Sequence, residues 1–324
     1  MLLFKFSQGS LISCPFPGCL SQTRSPDSGL VVRKGYFRRS SDHRRIQRFF
    51  CRGCRRTFSN AIRSDAYRQK KRTLNEEIFR LLNSTLSERR LAKHLQISRT
   101  TVSRKTLFLN ARSRRRNEEF RSRLLSSGTK ISFLQFDEME TFERSKLLPL
   151  SIPLVVEPKT RKILALGVAR MPATGLLAEK SRRKYGYRRD ERAKVASRVL
   201  RQIAPLVGPE VEILTDQKPQ YPAWIKKSLS RTAKHQTTPG RRGCVVGQGE
   251  LKRGGFDPLF SLNHTAAMLR ANVNRLLRRT WCTTKRADRL EGHLQRYMQY
   301  HNERLTKPLP ERDPDPCGLA ACTG

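Results

Sequence analysis

Two aspartates, Asp137 and Asp216, are the side chains in this sequence best placed to do chemistry. Each ends an apolar, strand-like run: ISFLQFDEME over residues 131–140, and VEILTD closing at Asp216. Carboxylates at strand ends can hold divalent cations against a phosphodiester, roughly 3.5–4 Å apart in two-cation sites. Mg2+ suits such a pair because it takes one or two carboxylates and fills its other positions with water and phosphate oxygens. The surrounding chain supports that chemistry: 67 Lys and Arg against 27 Asp and Glu give a formal net charge of +40 over 324 residues. A chain so basic binds a polyanion, because neutralising phosphates releases condensed counterions. The competing account of Asp137 is a strand that runs out into solvated acids. Glu138 ranks behind Asp137, since neighbouring strand residues face opposite sides of a sheet. A third ligand would come from the late helix SLNHTAAMLRANVNRLLRRTW, where Asn263 offers a carbonyl oxygen. Asn263 as a plain helix cap competes with that role, and Glu250, in a glycine-rich loop, is a rival acidic ligand. At whole-turn spacing, Asn263, Arg270 and Asn274 share one helix face.

A second site is read from cysteine spacing. Cys14 and Cys19, then Cys51 and Cys54, form two close pairs suited to a tetrahedral four-thiolate zinc site. Gly18 and Gly53 precede the second cysteine of each pair, where a knuckle needs a permissive backbone. Cys244, Cys282, Cys317 and Cys322 share no such spacing. Residues 29–64 carry eleven Lys or Arg and one acid, Asp42, interleaved with Tyr36, Phe37, Phe49 and Phe50. That pattern predicts a surface that binds a nucleic-acid backbone.

The elements that position these residues follow from periodicity. Leu74, Ile78, Leu81 and Leu82 recur at helical spacing. In SERRLAKHLQISRTTVSRK a small Ala92 and an apolar Val102 allow two short helices to cross closely, as a helix-turn-helix requires. Arg99, Thr100, Thr101, Ser103 and Arg104 then point outward, where such side chains read base edges or phosphates. Gln96 stands at a turn position where Gly is often found. Beyond a basic connector over 111–130, which fits a helix ending at Ser126-Ser127-Gly128, the pattern changes to three adjacent strands with short turns, an antiparallel meander, followed by alternating helices and strands. This order predicts a multidomain chain: a zinc ribbon over 1–60, an all-α helix-turn-helix over 61–110, a basic linker over 111–130, an α/β RNase H-like domain with a mixed five-stranded sheet over 131–305, and a disordered tail over 306–324. In that sheet the first and fourth strands are neighbours, so Asp137 and Asp216 meet. No apolar run is long enough to span a membrane, and the cysteine usage predicts a reducing, cytoplasmic setting.

CPFPGC and CRGC, then SERRLAKHLQISRTTVSRK, FDEMETFE, LTDQKPQY and LNHTAAMLRANVNRLLRRTWCTTK, resemble in order the bacterial insertion-sequence transposases with an N-terminal zinc ribbon, a helix-turn-helix and a DDE-type RNase H-like catalytic domain. The resemblance implies a nucleoid-associated enzyme that cleaves and joins element ends on double-stranded DNA, with Mg2+ or Mn2+ at the catalytic site and Zn2+ in the ribbon. It further implies action as a homo-oligomer. Asp137 and Asp216 take the places of the first two catalytic acids. Asn263 stands where the third is usually Glu, and Lys285 is a later DNA contact. The second reading is a sequence-specific DNA-binding protein with an inert core, a repressor or a relic.

Overall fold

The computed structural model describes residues 12–22, 29–128, 130–229, 232–239, 257–277 and 282–306. Glu250, Cys244, Cys317, Cys322 and nearly all of the expected tail fall outside them. The chain divides into two compact units, Met1–Glu77 and Ile78–Gly324.

In the first unit, β1 (Val31–Arg38), β2 (Arg45–Cys51) and β3 (Thr57–Ser59) form an antiparallel sheet in that order. Its core is small: Phe49 stacks on Phe58 with ring centroids 5.5 Å apart, and both are buried with the cysteines. Register slips between Arg33 and Tyr36, where Gly35 takes φ +68°. A bulge of this kind uses Gly because a Cβ is disfavoured there.

α1 (Asn75–Leu82) spans the junction, and α2 (Glu88–His94) and α3 (Arg99–Ser126) follow in the second unit. Ser87 and Ser98 cap α2 and α3, their side chains accepting from the amides of Arg90 and Thr101. The turn between them holds Gln96 at φ +50°, the left-handed conformation that explains why Gly is common there. Leu91 and Val102 are fully buried, which closes the helix pair. The helix read in the basic connector ends at Ser126 as expected, but it is not separate: α3 runs unbroken from Arg99 to Ser126, 28 residues. It stays helical because polar side chains on one face reach the last helix, α8 (Ala287–Tyr300). Asn117 Nδ2 donates to the carbonyl of Gln295 (2.9 Å), and Ser113 Oγ to Gln299 Oε1 (2.7 Å). Arg296, fully buried on α8, donates to Asn110 Oδ1, to Asn83 Oδ1 and to the Leu82 carbonyl. The helix-turn-helix is thereby fastened to the α/β core through satisfied buried polar groups.

The core sheet comprises β4 (Ile131–Phe142), β5 (Pro149–Glu157), β6 (Lys162–Leu166), β7 (Ala169–Arg170), β8 (Val207–Asp216) and β9 (Lys234–Thr238). The order is β6-β5-β4-β8-β9, with β7 also paired to β5, so the sheet has six strands rather than five. The sixth is two residues long, too short to show in a period-two pattern. β4 is antiparallel to β5 and parallel to β8, and β8 is parallel to β9. One sheet face packs on α5 (Arg192–Ile203) and α6 (Tyr221–Ser228), burying Leu134, Phe136, Val199 and Trp224. The other packs on α7 (Phe260–Asn272) and α8, burying Met139, Leu154, Leu269 and Leu294. Burying each such side chain stabilises by about 1.5–3 kcal/mol. α4 (Ala178–Tyr185), a short basic helix with one buried residue, Ser181, carries too little apolar periodicity for the sequence to reveal it.

α7 ends at Asn272, and Val273 is extended before a 3-10 turn over Asn274–Leu276. Asn274 therefore leaves the face it would share with Asn263 and Arg270 on a longer helix. Its side-chain nitrogen instead donates to the Thr85 carbonyl at 2.6 Å.

Candidate metal and nucleic-acid sites

The central pair is positioned by strand register. β4 and β8 run parallel with Gln135 opposite Leu214; two residues further along, the same register sets Asp137 beside Asp216. Alternation puts both on the face that carries Met139 and Leu214. Asp137 Oδ1 accepts a hydrogen bond from the Tyr221 hydroxyl (2.8 Å) and another from the Glu138 amide (2.6 Å). Burial pushes the Asp137 carboxyl above its ordinary range and the Asp216 charge pushes the same way, while Tyr221, the Glu138 amide and Lys218 pull it back. Two carboxylates that repel each other in a partly buried setting fit a divalent cation, which would relieve that repulsion. Asp216 also accepts from the Lys218 amide at 3.2 Å.

Glu138 faces the opposite side, as alternation predicts. It is buried, accepts a short hydrogen bond from Ser151 Oγ, and pairs with Lys218 Nζ at 2.8 Å. Its charge is compensated within the protein, so its part is structural: it fixes Lys218 beside the aspartates. The sequence reading missed Tyr221 and Lys218. The signal was present in LTDQKPQY, where a proline turn after Asp216 leads directly into the first turn of α6.

Asn263 is exposed, one turn into α7, and Leu259 occupies the cap position. Asn263 is therefore not the helix cap. Its Nδ2 donates to Asp257 Oδ2 at 2.9 Å, and no hydrogen bond joins it to Asp137 or Asp216. The start of α7 does dock on the right strand face. Gln135, two residues before Asp137, accepts from the Leu262 amide (2.9 Å) and donates to the Pro258 carbonyl (2.7 Å). Among the described residues, the four cysteines are the only cluster of three or more His, Cys, Asp or Glu with metal-binding spacing. A third acid at the aspartate pair is thus absent from the described residues.

The cysteines meet as their spacing predicts. The ligand atoms of Cys14, Cys19, Cys51 and Cys54 all lie within 4.8 Å of one another. Sγ–Sγ separations are 3.6 Å for Cys14–Cys54 and 3.5 Å for Cys19–Cys51. Zn–S bonds of about 2.3 Å in a tetrahedron need sulfurs only slightly farther apart, so the cluster fits zinc. Gly18 takes φ +72°, and Gly53 lies against the Cys19 and Cys51 sulfurs. Burial pushes the Cys14 thiol up to about 12. Burial also raises Cys51, yet hydrogen bonds from Ser21, from the Cys54 amide and from neighbouring thiols bring it down to about 6.

Of the predicted base-reading side chains, Arg99, Thr100 and Arg104 are exposed. Ser103 is half-buried, and Thr101 Oγ1 is engaged with Ser98 Oγ at 2.8 Å in the cap. Lys285 is exposed, and its carbonyl accepts from Arg144 Nε at 3.4 Å. On the ribbon sheet, Arg45 lies 4.0 Å over the Tyr36 ring and Lys34 5.1 Å over Phe50. Each is a basic side chain stacked on an aromatic ring of the ribbon sheet. No helix among the described residues is long and apolar enough to cross a membrane.

No protein-family model matches the chain, and no curated protein matches it. Among solved structures, it is similar to a simian T-cell lymphotropic virus intasome in complex with the PP2A regulatory subunit B56 gamma, at 17% identity and TM-score 0.23, covering 57% of this chain and 59% of that one. It is similar also to the Mos1 strand transfer complex, at 12% identity and TM-score 0.23, covering 73% and 79%. The pre-cleavage Mos1 transpososome follows at 10% identity and TM-score 0.18, covering 73% and 80%. Likeness this loose carries no weight for fold or function. The case rests on the residues.

Proposed function

We propose that this chain is a DNA transposase of the DDE type, an acid-acid-asparagine variant that cleaves and joins the ends of an insertion element. The observation that carries the reading is the adjacency of Asp137 and Asp216 on one face of a sheet ordered β6-β5-β4-β8-β9. Three antiparallel strands followed by two parallel ones is the order expected of an RNase H-like domain, and the exposed Arg99, Thr100 and Arg104 supply a DNA-reading helix. Asp137 and Asp216 would hold Mg2+ or Mn2+, with the Asn263 carbonyl oxygen as a candidate third ligand. Bound there, the cation would supply an activated water or 3′-hydroxyl and stabilise the leaving oxygen. Tyr221 orients the Asp137 carboxylate and keeps its Oδ1 hydrogen-bonded. Lys218, held by Glu138, adds positive charge beside the position a phosphate would take. The four-cysteine ribbon would hold Zn2+ and present its basic face to duplex DNA, the chain acting as a homo-oligomer on paired ends.

The second reading, a DNA-binding protein without cleavage, is favoured by the lack of a third acid at the pair among the described residues and by the hydrogen bond that ties Asn263 to Asp257. Strand cleavage of duplexes carrying candidate terminal inverted repeats, with Mg2+ or Mn2+, separates the two. The transposase reading expects nicks that leave 3′-hydroxyl ends. Tight, salt-dependent binding with no nick under either cation would leave only the second.

A further inference from the structure

Beyond the aspartate pair, β4 leads to a second concave site in the same unit. A cavity of about 350 Å3 opens where β4 and β5 meet the loop after α4, at the small end of the 300–1,000 Å3 usual for ligand pockets. Four arginines line it, Arg144, Arg170, Arg188 and Arg189, against two glutamates, Glu143 and Glu191, a surplus of two positive charges. Glu143 is buried and already engaged, 3.3 Å from Arg188 and 3.9 Å from Arg170. Glu191 Oε2 accepts from the Arg170 amide at 3.4 Å. Arg188 Nε is buried with no hydrogen-bond partner, a donor left to whatever enters. Tyr187, 83% exposed, stands on the wall as a free aromatic face. Arg144 is held there at φ +61°, its amide donating to the Thr284 carbonyl at 2.7 Å. A non-glycine residue in that conformation is costly and is retained only where its surroundings enforce it.

We infer that this cavity is a nucleotide pocket: it takes an unpaired nucleotide of the DNA strand that runs past Asp137 and Asp216, the arginines gripping its phosphate and Tyr187 stacking on its base. The inference rests on the transposase reading and extends it to the state of the strand near the cut. Arginine forks match phosphate oxygens two at a time, and aromatic faces stack on any base. The cavity is coupled to the aspartate pair through one strand: Glu143 lies six positions after Asp137 along β4 and its end, about 20 Å at strand rise. That distance corresponds to about six stacked nucleotides.

The test is equilibrium binding of the zinc-loaded full chain, without added Mg2+, to labelled duplexes that are blunt or carry an unpaired extension of about six nucleotides. Wild type is expected to favour the extended duplex. Tyr187→Ala should lower its affinity for that duplex about tenfold and leave blunt binding unchanged, and Tyr187→Phe should restore it. Arg189→Gln should weaken the extended duplex more than the blunt one. Equal affinity of wild type for the two duplexes, or equal losses on both in Tyr187→Ala, would overturn the pocket. If wild type ignores the extension yet nicks duplex ends once Mg2+ is added, the pocket alone falls; if it binds no DNA, the transposase reading falls with it.

Discussion

Replacing Asp137 by Asn should do two opposite things at once. Adjacent strands lie about 4.8 Å apart, and at an effective dielectric near 20 two carboxylates at that spacing repel by about 3 kcal/mol. Asn removes the repulsion while keeping an oxygen for the Tyr221 hydroxyl and the Glu138 amide, the two donors to Asp137 Oδ1. Losing charge assistance in those bonds gives back about 1 kcal/mol. The net expectation is a gain of about 1–2 kcal/mol without divalent cation, a rise in melting temperature of about 2–6 °C for a domain of this size. The pH dependence has a fixed sign. Burial raises the Asp137 carboxyl, so its contribution to stability is present below the ordinary carboxylate range and is lost as pH climbs through the raised value. The advantage of Asp137→Asn should therefore grow as pH rises above the ordinary carboxylate range, about 4. Mg2+ should stabilise wild type at neutral pH and stabilise the variant far less, and the variant should not cleave. Differential scanning fluorimetry across pH, with and without Mg2+, reads all of this. A variant less stable than wild type at neutral pH, or one stabilised equally by Mg2+, would refute a cation site built on charge repulsion.

Three further outcomes follow from single contacts. Tyr221→Phe removes a hydroxyl that lowers the Asp137 carboxyl, so the acid limb of a cleavage pH profile should move to higher pH; an unmoved limb would mean that Tyr221 is only core. Chelating zinc should expose residues 12–59 to limited proteolysis while the 78–306 unit keeps its protection, because such ribbons depend on metal for their fold; unchanged cleavage patterns would show that the cysteines hold no structural ion. Gly292→Ala on α8 would set a Cβ 2.7 Å from Asn110 Nδ2, beside the buried Arg296 network, and should destabilise by about 1–3 kcal/mol, measured by denaturant unfolding; an unchanged midpoint would show that α3 and α8 can shift apart freely.

The sequence by itself determined whatever depends on local spacing. Cys14, Cys19, Cys51 and Cys54 announced a four-sulfur site because close pairs on tight turns have few other uses. Ala92 and Val102 announced a helix pair because two closely crossing helices impose those residue types. The apolar runs before Asp137 and Asp216 announced strands that end in acids. Tertiary structure decided what depends on groups distant in the chain. It set Asp137 beside Asp216 through the β4–β8 register, turned Glu138 inward onto Lys218 and Ser151, and brought Tyr221 over the carboxylate. It also joined the helix over residues 111–126 to the helix-turn-helix and docked it on α8, because Asn110, Ser113 and Asn117 find partners there that no local pattern names. The same holds for Asn263, which reads as a ligand or a cap from its neighbours in sequence, yet is bound to Asp257 once α7 docks on Gln135. Periodicity encodes which face of an element is buried. The partner across that face is fixed only when the layers close, since burial and polar satisfaction are properties of the packed chain.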